Sequence, residues 1–295
     1  MPMPDNGNQA AGLMNSSGKK RPLQVIAVAS GKGGVGKTNV SVNLATVQAL
    51  RGRKVWMLDA DLGLANVDVL LGLNVRKNLS HVLEGSCELS DIVVEGPGGM
   101  QIVPASSGVA SMTNLGAAEC GGLIQAFSEV AHDVDLLIVD TAAGISTSVT
   151  MFARAAHHAL VVVCDEPASI TDAYALIKVL VRDHNMHQIQ VLSNMVRSPA
   201  EGRALYNKIS RVTDRYLDVS LNYAGYVPYD DFLRKALQRQ QPVVTVYPEA
   251  RSSTAFKKLA DTADTWSVPS GPSGHLEFFF ERALGQPGAA EEARA

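Results

Sequence analysis

Residues 31–38 read Gly-Lys-Gly-Gly-Val-Gly-Lys-Thr and satisfy the pattern G-x-x-x-x-G-K-[ST]. They lie between the apolar run 23–29 and a helical pattern over 38–51, the setting in which that pattern cradles phosphates. Gly33, Gly34 and Gly36 let backbone N–H groups turn inward, and the helix start adds positive potential. Lys37 is placed to reach β/γ-phosphate oxygens, and the Thr38 hydroxyl to ligate Mg²⁺. Gly31 to Asn39, with Val35 inside the loop, is the predicted nucleotide-binding stretch. Lys32 is a second lysine that such a loop does not need. A further carboxylate is required at a neighbouring strand end, and Asp140 follows four apolar residues in "LLIVDTAAG", positioned to hold the metal through water. Asp59 and Asp61 alternate along "LDADLGLANVD" (58–68) and so share a face, directed at the phosphates if this strand neighbours the loop strand. Asp61 is assigned to the attacking water and Asp59 to the metal's water shell; the competing reading is a turn with capping aspartates.

These residues need strands to end where they stand. Short apolar runs recur at 23–29, 54–61, 100–106, 135–142, 159–166, 189–195 and 223–230, and segments of helical pattern lie at 38–51, 117–131, 146–157, 169–183, 199–218, 230–239 and 252–266. Uniformly apolar strands are covered on both faces, and strand alternating with helix predicts a doubly wound α/β fold. The expectation is a mostly parallel sheet of about seven or eight strands with helices on both faces. Residues 1–22 are Pro/Gly/Asn/Ser-rich and predicted to be a flexible arm, 23–266 one domain, 267–274 a linker, 275–285 an amphipathic helix and 286–295 a disordered tail.

At 295 residues and 46% hydrophobic content the chain has ample material for a core. A net charge of -3 without a dense basic run argues against constitutive nucleic-acid binding. Arg203, Arg211 and Arg215 still mark one helix face, either solvated or a local patch. Cys87, Cys120 and Cys164 form no close pair, which fits a reducing compartment, and a cytoplasmic protein is expected. Any membrane contact is expected to be peripheral.

The loop with its additional lysine resembles the deviant Walker A motif of the MinD/ParA ATPases, and D-x-D-x-G-L-x-N-x-D (59–68) resembles MinD's switch I. The resemblance implies a slow Mg²⁺-dependent ATPase that forms a nucleotide-sandwich homodimer on binding ATP, with Lys32 reaching the partner's phosphates. It places Asn66 at the dimer-facing switch, Asn194 at the adenine, and the backbone near Pro228 in the purine pocket. Relatives often have Asn-Arg where this chain has Asn194-Met195. Glu166 is implied to touch ribose or the dimer partner, with capping of the helix that begins at Pro167 as the equal alternative.

Within the family, "DTAAGI" (140–145) and "CDEPASITDAYALIK" (164–178) are similar to the flagellar-number regulators FlhG/FleN. That implies restraint of the flagellar transcription activator FleQ and joint action with the GTPase FlhF. "NQAAGLMN" (8–15) resembles the D-Q-A-x-x-L-R element that activates FlhF, with Asn8 and Met14 replacing its Asp and Arg. Leu276, Phe279, Phe280, Ala283 and Leu284 fall on one predicted helix face, with Phe278 off it. That face suits either the membrane surface or a groove on the chain's own domain. A ParA-type DNA-binding ATPase using the arginine face and a membrane-patterning MinD are the alternative readings.

Overall fold

The computed structural model describes residues 23–63, 66–105, 115–130, 133–217, 219–268 and 277–279. The apolar runs become β1 (Gln24–Ser30), β2 (Val55–Ala60), β3 (Val94–Glu95), β4 (Gln101–Val103), β5 (Leu136–Ala143), β6 (His158–Val163), β7 (Ile189–Val196) and β8 (Asn222–Pro228). Between them lie α1 (Lys37–Leu50), α2 (Val67–Leu71), α3 (Leu79–Leu83), α4 (Ala117–Val130), α5 (Thr147–Arg154), α6 (Pro167–Arg182), α7 (Pro199–Tyr216), α8 (Asp231–Gln238), α9 (Val243–Val246) and α10 (Arg251–Ala263). One sheet results, in the order β3-β4-β2-β5-β1-β6-β7-β8. Its neighbours pair in parallel except β3 with β4.

The strands are apolar on both sides because both sides are covered. Val25, Ala27 and Ala29 of β1 enter a core with α4, α5, α6 and α7, including the fully buried Phe127 and Phe152. Ile26 and Val28 point the other way, into a core with α1, α9 and α10 around the fully buried Phe256. Burial of each such aromatic stabilises the fold by about 2–3 kcal/mol.

The strand order corrects one expectation. β2 does not neighbour the loop strand β1; β5 lies between them, paired with both. Asp59 and Asp140 are therefore register partners, and the direct β1–β2 pairing on which the shared-face expectation rested is absent. The two-residue edge strand β3 and the short helices α2, α3 and α9 were not predicted, since four or five residues carry no helical period.

Near the C-terminus only 277–279 of the expected 275–285 helix are described. Phe278 and Phe279 form a turn, and Phe279 has φ 62°, so no continuous helix runs through it. Phe278, predicted to lie off the apolar stripe, is only 2% exposed. Its ring meets Phe127 edge-on and stacks with Phe152, while Phe279 also meets Phe127 edge-on. The Phe278 N–H donates to the Ala155 carbonyl at 3.3 Å and that of Phe279 to Ser128 Oγ at 2.8 Å. These two residues thus dock on the chain's own domain. The arm 1–22 and the tail 286–295 lie outside the described residues.

Candidate functional site

The glycine-rich loop 31–36 leaves β1 and is shaped by two close approaches. A Cβ on Gly31 would come within 2.1 Å of the Asp172 carbonyl in α6, so only glycine lets α6 lie against the loop. Gly36 has φ 89°, and a Cβ there would meet the Asn194 amide nitrogen at 2.6 Å. That amide nitrogen, buried at the end of β7, donates to the Val35 carbonyl at 2.7 Å. Asn194 therefore fixes the loop's shape, a role beyond the adenine contact implied by resemblance.

α1 begins at Lys37, giving the loop a helix N-terminus with backbone donors free for an anion. Burial lowers the Lys37 pKa, opposed by the charges of Asp140 and Asp61. Asp140 lies in β5, fully enclosed. Its Oδ1 accepts from Ser41 Oγ at 2.7 Å, one turn along α1 from Lys37. Burial pushes Asp140 up to about 6, with Thr38, Ser41 and Lys37 pulling the other way. Asp140 Oδ2 is buried without a hydrogen-bond partner. An orphaned carboxylate oxygen beside a threonine hydroxyl fits a hydrated Mg²⁺.

The two β2 carboxylates part company. Asp59 is buried, and its Oδ1 accepts from the Asp61 N–H at 3.1 Å while Oδ2 accepts from the N–H groups of Asn66 (3.2 Å) and Val67 (3.3 Å). It thereby caps α2, whose own N-cap residue Asn66 supplies no side-chain bond. Burial, then the Asp140 charge, pushes the Asp59 pKa well above the carboxylate range. β2 ends at Ala60, and Asp61 beyond it lines the cleft.

That cleft, about 890 Å³, is floored by Gly33, Gly34, Gly36, Lys37, Thr38 and Asn39. Asp61, Asn66, Val69 and Leu70 wall one side, and Met195, Leu237 and Gln240 another, with Ala142 and Ala143 between. Met195, in a left-handed conformation and 46% exposed, stands in the wall. Gln240, also left-handed, donates from Nε2 to the Val69 carbonyl at 2.9 Å, tying the turn after α8 to α2. Ser41, Leu237 and Gln240 were missed from the sequence; only Ser41 carried a signal, four residues from Lys37 on the same helix face. Pro228 is buried at the end of β8 beside Val196, outside the lining.

Gly31, Lys32, Val35, Asn194 and Glu166 do not line the cleft either. Lys32 Nζ instead donates to Glu166 Oε2 at 2.7 Å. Hydrogen bonding to Glu166 and its charge raise the Lys32 pKa. Glu166 stands at the N-cap position of α6 but makes no side-chain cap bond, which overturns the capping alternative; its carboxylate is engaged by Lys32.

Of the arginine face, Arg203 stacks on Tyr223 with its guanidinium 4.1 Å from the ring centre, and Arg215 lies 5.4 Å from the Tyr216 ring. The face is thus partly occupied by aromatic contacts rather than uniformly available to phosphates.

The family profile described as ParA, "NUBPL iron-transfer P-loop NTPase", matches residues 22–263. The chain belongs to the ParA/MinD family of P-loop NTPases. It is 57% identical to "Antiactivator FleN" of Pseudomonas aeruginosa over 93% of this chain and 98% of that one. It is 32% identical to "Flagellum site-determining protein YlxH" of Helicobacter pylori over 94% and 98%. Among solved structures it resembles the septum site-determining protein MinD complexed with Mg-ADP from Pyrococcus horikoshii, with a TM-score of 0.68 and 26% identity over 82% of this chain and 96% of that one. The matched range contains the pattern G-x-x-x-x-G-K-[ST] at residues 31–38. No helix among the described residues is long and apolar enough to cross a membrane.

Proposed function

We propose that the chain is a slow Mg²⁺-dependent ATPase that dimerises on binding ATP and sets flagellar number, restraining the transcription activator FleQ and acting with the GTPase FlhF. The observation that carries the reading is Lys32. It is a loop lysine that leaves its own phosphate cleft to Lys37 and rests on an exposed carboxylate, available to a second subunit. The antiactivator and site-determining relatives favour the flagellar role over partition of DNA or patterning of a membrane. Contact of 275–285 with a membrane would require Phe278 and Phe279 to leave their groove.

Lys37 and the loop N–H groups bind and orient the phosphates, and Thr38 and Asp140 would hold Mg²⁺, the latter through water. Bound there, the ion would supply neutralisation of phosphate charge. Asp61 orients the attacking water from the cleft wall, and Asp59 keeps the segment that carries Asp61 and Asn66 in place. Lys32 of the partner completes the positive field where charge develops. A rate of ATP hydrolysis per subunit that rises with protein concentration, together with an Asp61→Ala variant that dimerises in ATP without hydrolysing it, tests the reading. A monomeric Asp61→Ala protein under saturating ATP contradicts it.

A further inference from the structure

β8 ends the sheet. It pairs with β7 on one side, and among the described residues no strand takes its other margin. Such an edge offers backbone donors and acceptors to an incoming strand unless charge, proline or a covering loop guards it. In β8 the one proline is Pro228, at the far end. A bulge falls between the pairs made by Val191 and Leu192, where Gly225 has φ 122° and nothing within 4 Å of its would-be Cβ. The backbone is bare there, and the bulge limits any added pairing to a run of about four residues, short for a strand.

The margin has a chemical sign. A cleft of about 260 Å³ separates it from α10, which presents Arg251, Thr254, Lys258 and Thr262 on one helical stripe. No carboxylate lines this cleft. Asp230, whose charge is felt with that of Arg251, spends its Oδ2 on the Ser252 N–H and hydroxyl and its Oδ1 on the Phe232 N–H. On the α7 side Arg203 stacks over Tyr223. Arg203, Arg251 and Lys258 are all exposed, and none forms an ion pair among the described residues. Successive side chains of an added strand point to opposite faces, so acidic residues at neighbouring positions would meet cations on both the α7 and α10 sides.

We propose that the β8 edge is a docking site for an extended acidic segment of a partner protein, bound by strand addition between α7 and α10. Main-chain pairing with β8 supplies affinity, and Arg203, Arg251 and Lys258 supply the preference for acid. The site lies outside the nucleotide cleft and shares no lining residue with it.

The test uses the full chain and a fluorescein-labelled peptide of about eight residues, Val-Glu-Glu-Val repeated twice, which puts glutamates on both faces and has a length suited to one strand. Two control peptides carry proline at alternate positions or lysine in place of glutamate. Binding is read by fluorescence anisotropy, and its location by amide hydrogen exchange. The acidic peptide is expected to bind and to slow exchange within 222–227. The proline peptide, the lysine peptide and the Arg251→Glu/Lys258→Glu protein should each lower affinity tenfold or more, with nucleotide affinity of the variant unchanged. Absence of binding, equal binding of the proline peptide, or protection confined elsewhere overturns the proposal. Binding that emerges only after removal of 286–295 assigns the edge to the chain's own tail and overturns it too, as does tighter binding of a labelled thymidine oligonucleotide than of the acidic peptide.

Discussion

Lys32 Nζ lies 2.7 Å from Glu166 Oε2, a carboxylate 134 residues away that sits at the start of α6. α6 is brought to this position by the close approach of Asp172 to Gly31, the residue preceding Lys32. The same packing that requires a glycine at position 31 thus supplies the single chain with a resting place for its additional lysine. Leaving that place for a partner's phosphates would require breaking an exposed ion pair, a weak interaction in water.

Glu166→Ala removes the resting place while leaving the phosphate cleft intact. The melting temperature should stay within about a degree of wild type, as expected for an exposed pair. If Glu166 serves only to hold Lys32 in the single chain, half-maximal dimerisation should occur at a lower concentration of ATP analogue. Analytical ultracentrifugation across a nucleotide titration reads this; loss of dimerisation would instead give Glu166 a part in the assembled interface.

Asp140→Asn tests the buried carboxylate. Burial raises Asp140 from 3.8 to about 6. Below pH 4 the folded and unfolded chains both hold the proton; between 4 and 6 the unfolded chain gives it up first, so stability falls as pH rises through this window. The nucleotide-free variant should therefore be more stable than wild type at pH 7.5, by up to about 3 kcal/mol, with the advantage vanishing near pH 4. Urea titrations at the two pH values measure the difference. The same variant should lose Mg²⁺-dependent hydrolysis.

The loop itself was legible because its parts are consecutive: strand, glycines, Lys37, Thr38 and helix follow one another along the chain. Asp140 was legible from the apolar run before it. Assigning Asp59 was harder, since its partners Asn66 and Val67 are the N-cap and first residue of α2, a helix of five residues with too little length to show a period. The place of β5 between β1 and β2 is a property of the sheet and not of any one segment. Gln240 reaches Val69 across 171 residues, and no local pattern announces such a contact. Of the C-terminal stripe only Phe279 lies among the described residues, and it is buried; its left-handed backbone interrupts a 3.6-residue period, and Phe278, which that period sets outside, enters the core.

Gly31→Ala should be among the most damaging single-methyl changes in the chain. The added Cβ would overlap the Asp172 carbonyl at 2.1 Å, and backbone must move to admit it. A loss of about 3 kcal/mol is expected from such overpacking, with nucleotide affinity falling at least tenfold as α6 and the loop separate. Thermal melting and titration with a fluorescent nucleotide check both; a variant that melts and binds like wild type would show that the approach of α6 to the loop is dispensable.

The central claim is that Lys37 serves its own subunit's nucleotide and Lys32 its neighbour's. Gel filtration with light scattering of wild type and Lys32→Ala, each saturated with a non-hydrolysable ATP analogue, tests it most directly when bound nucleotide is measured in the same fractions. The account predicts a dimeric mass for wild type and a monomeric mass for Lys32→Ala with one nucleotide still bound per chain. A dimeric Lys32→Ala protein, or one that has lost its nucleotide, would contradict it.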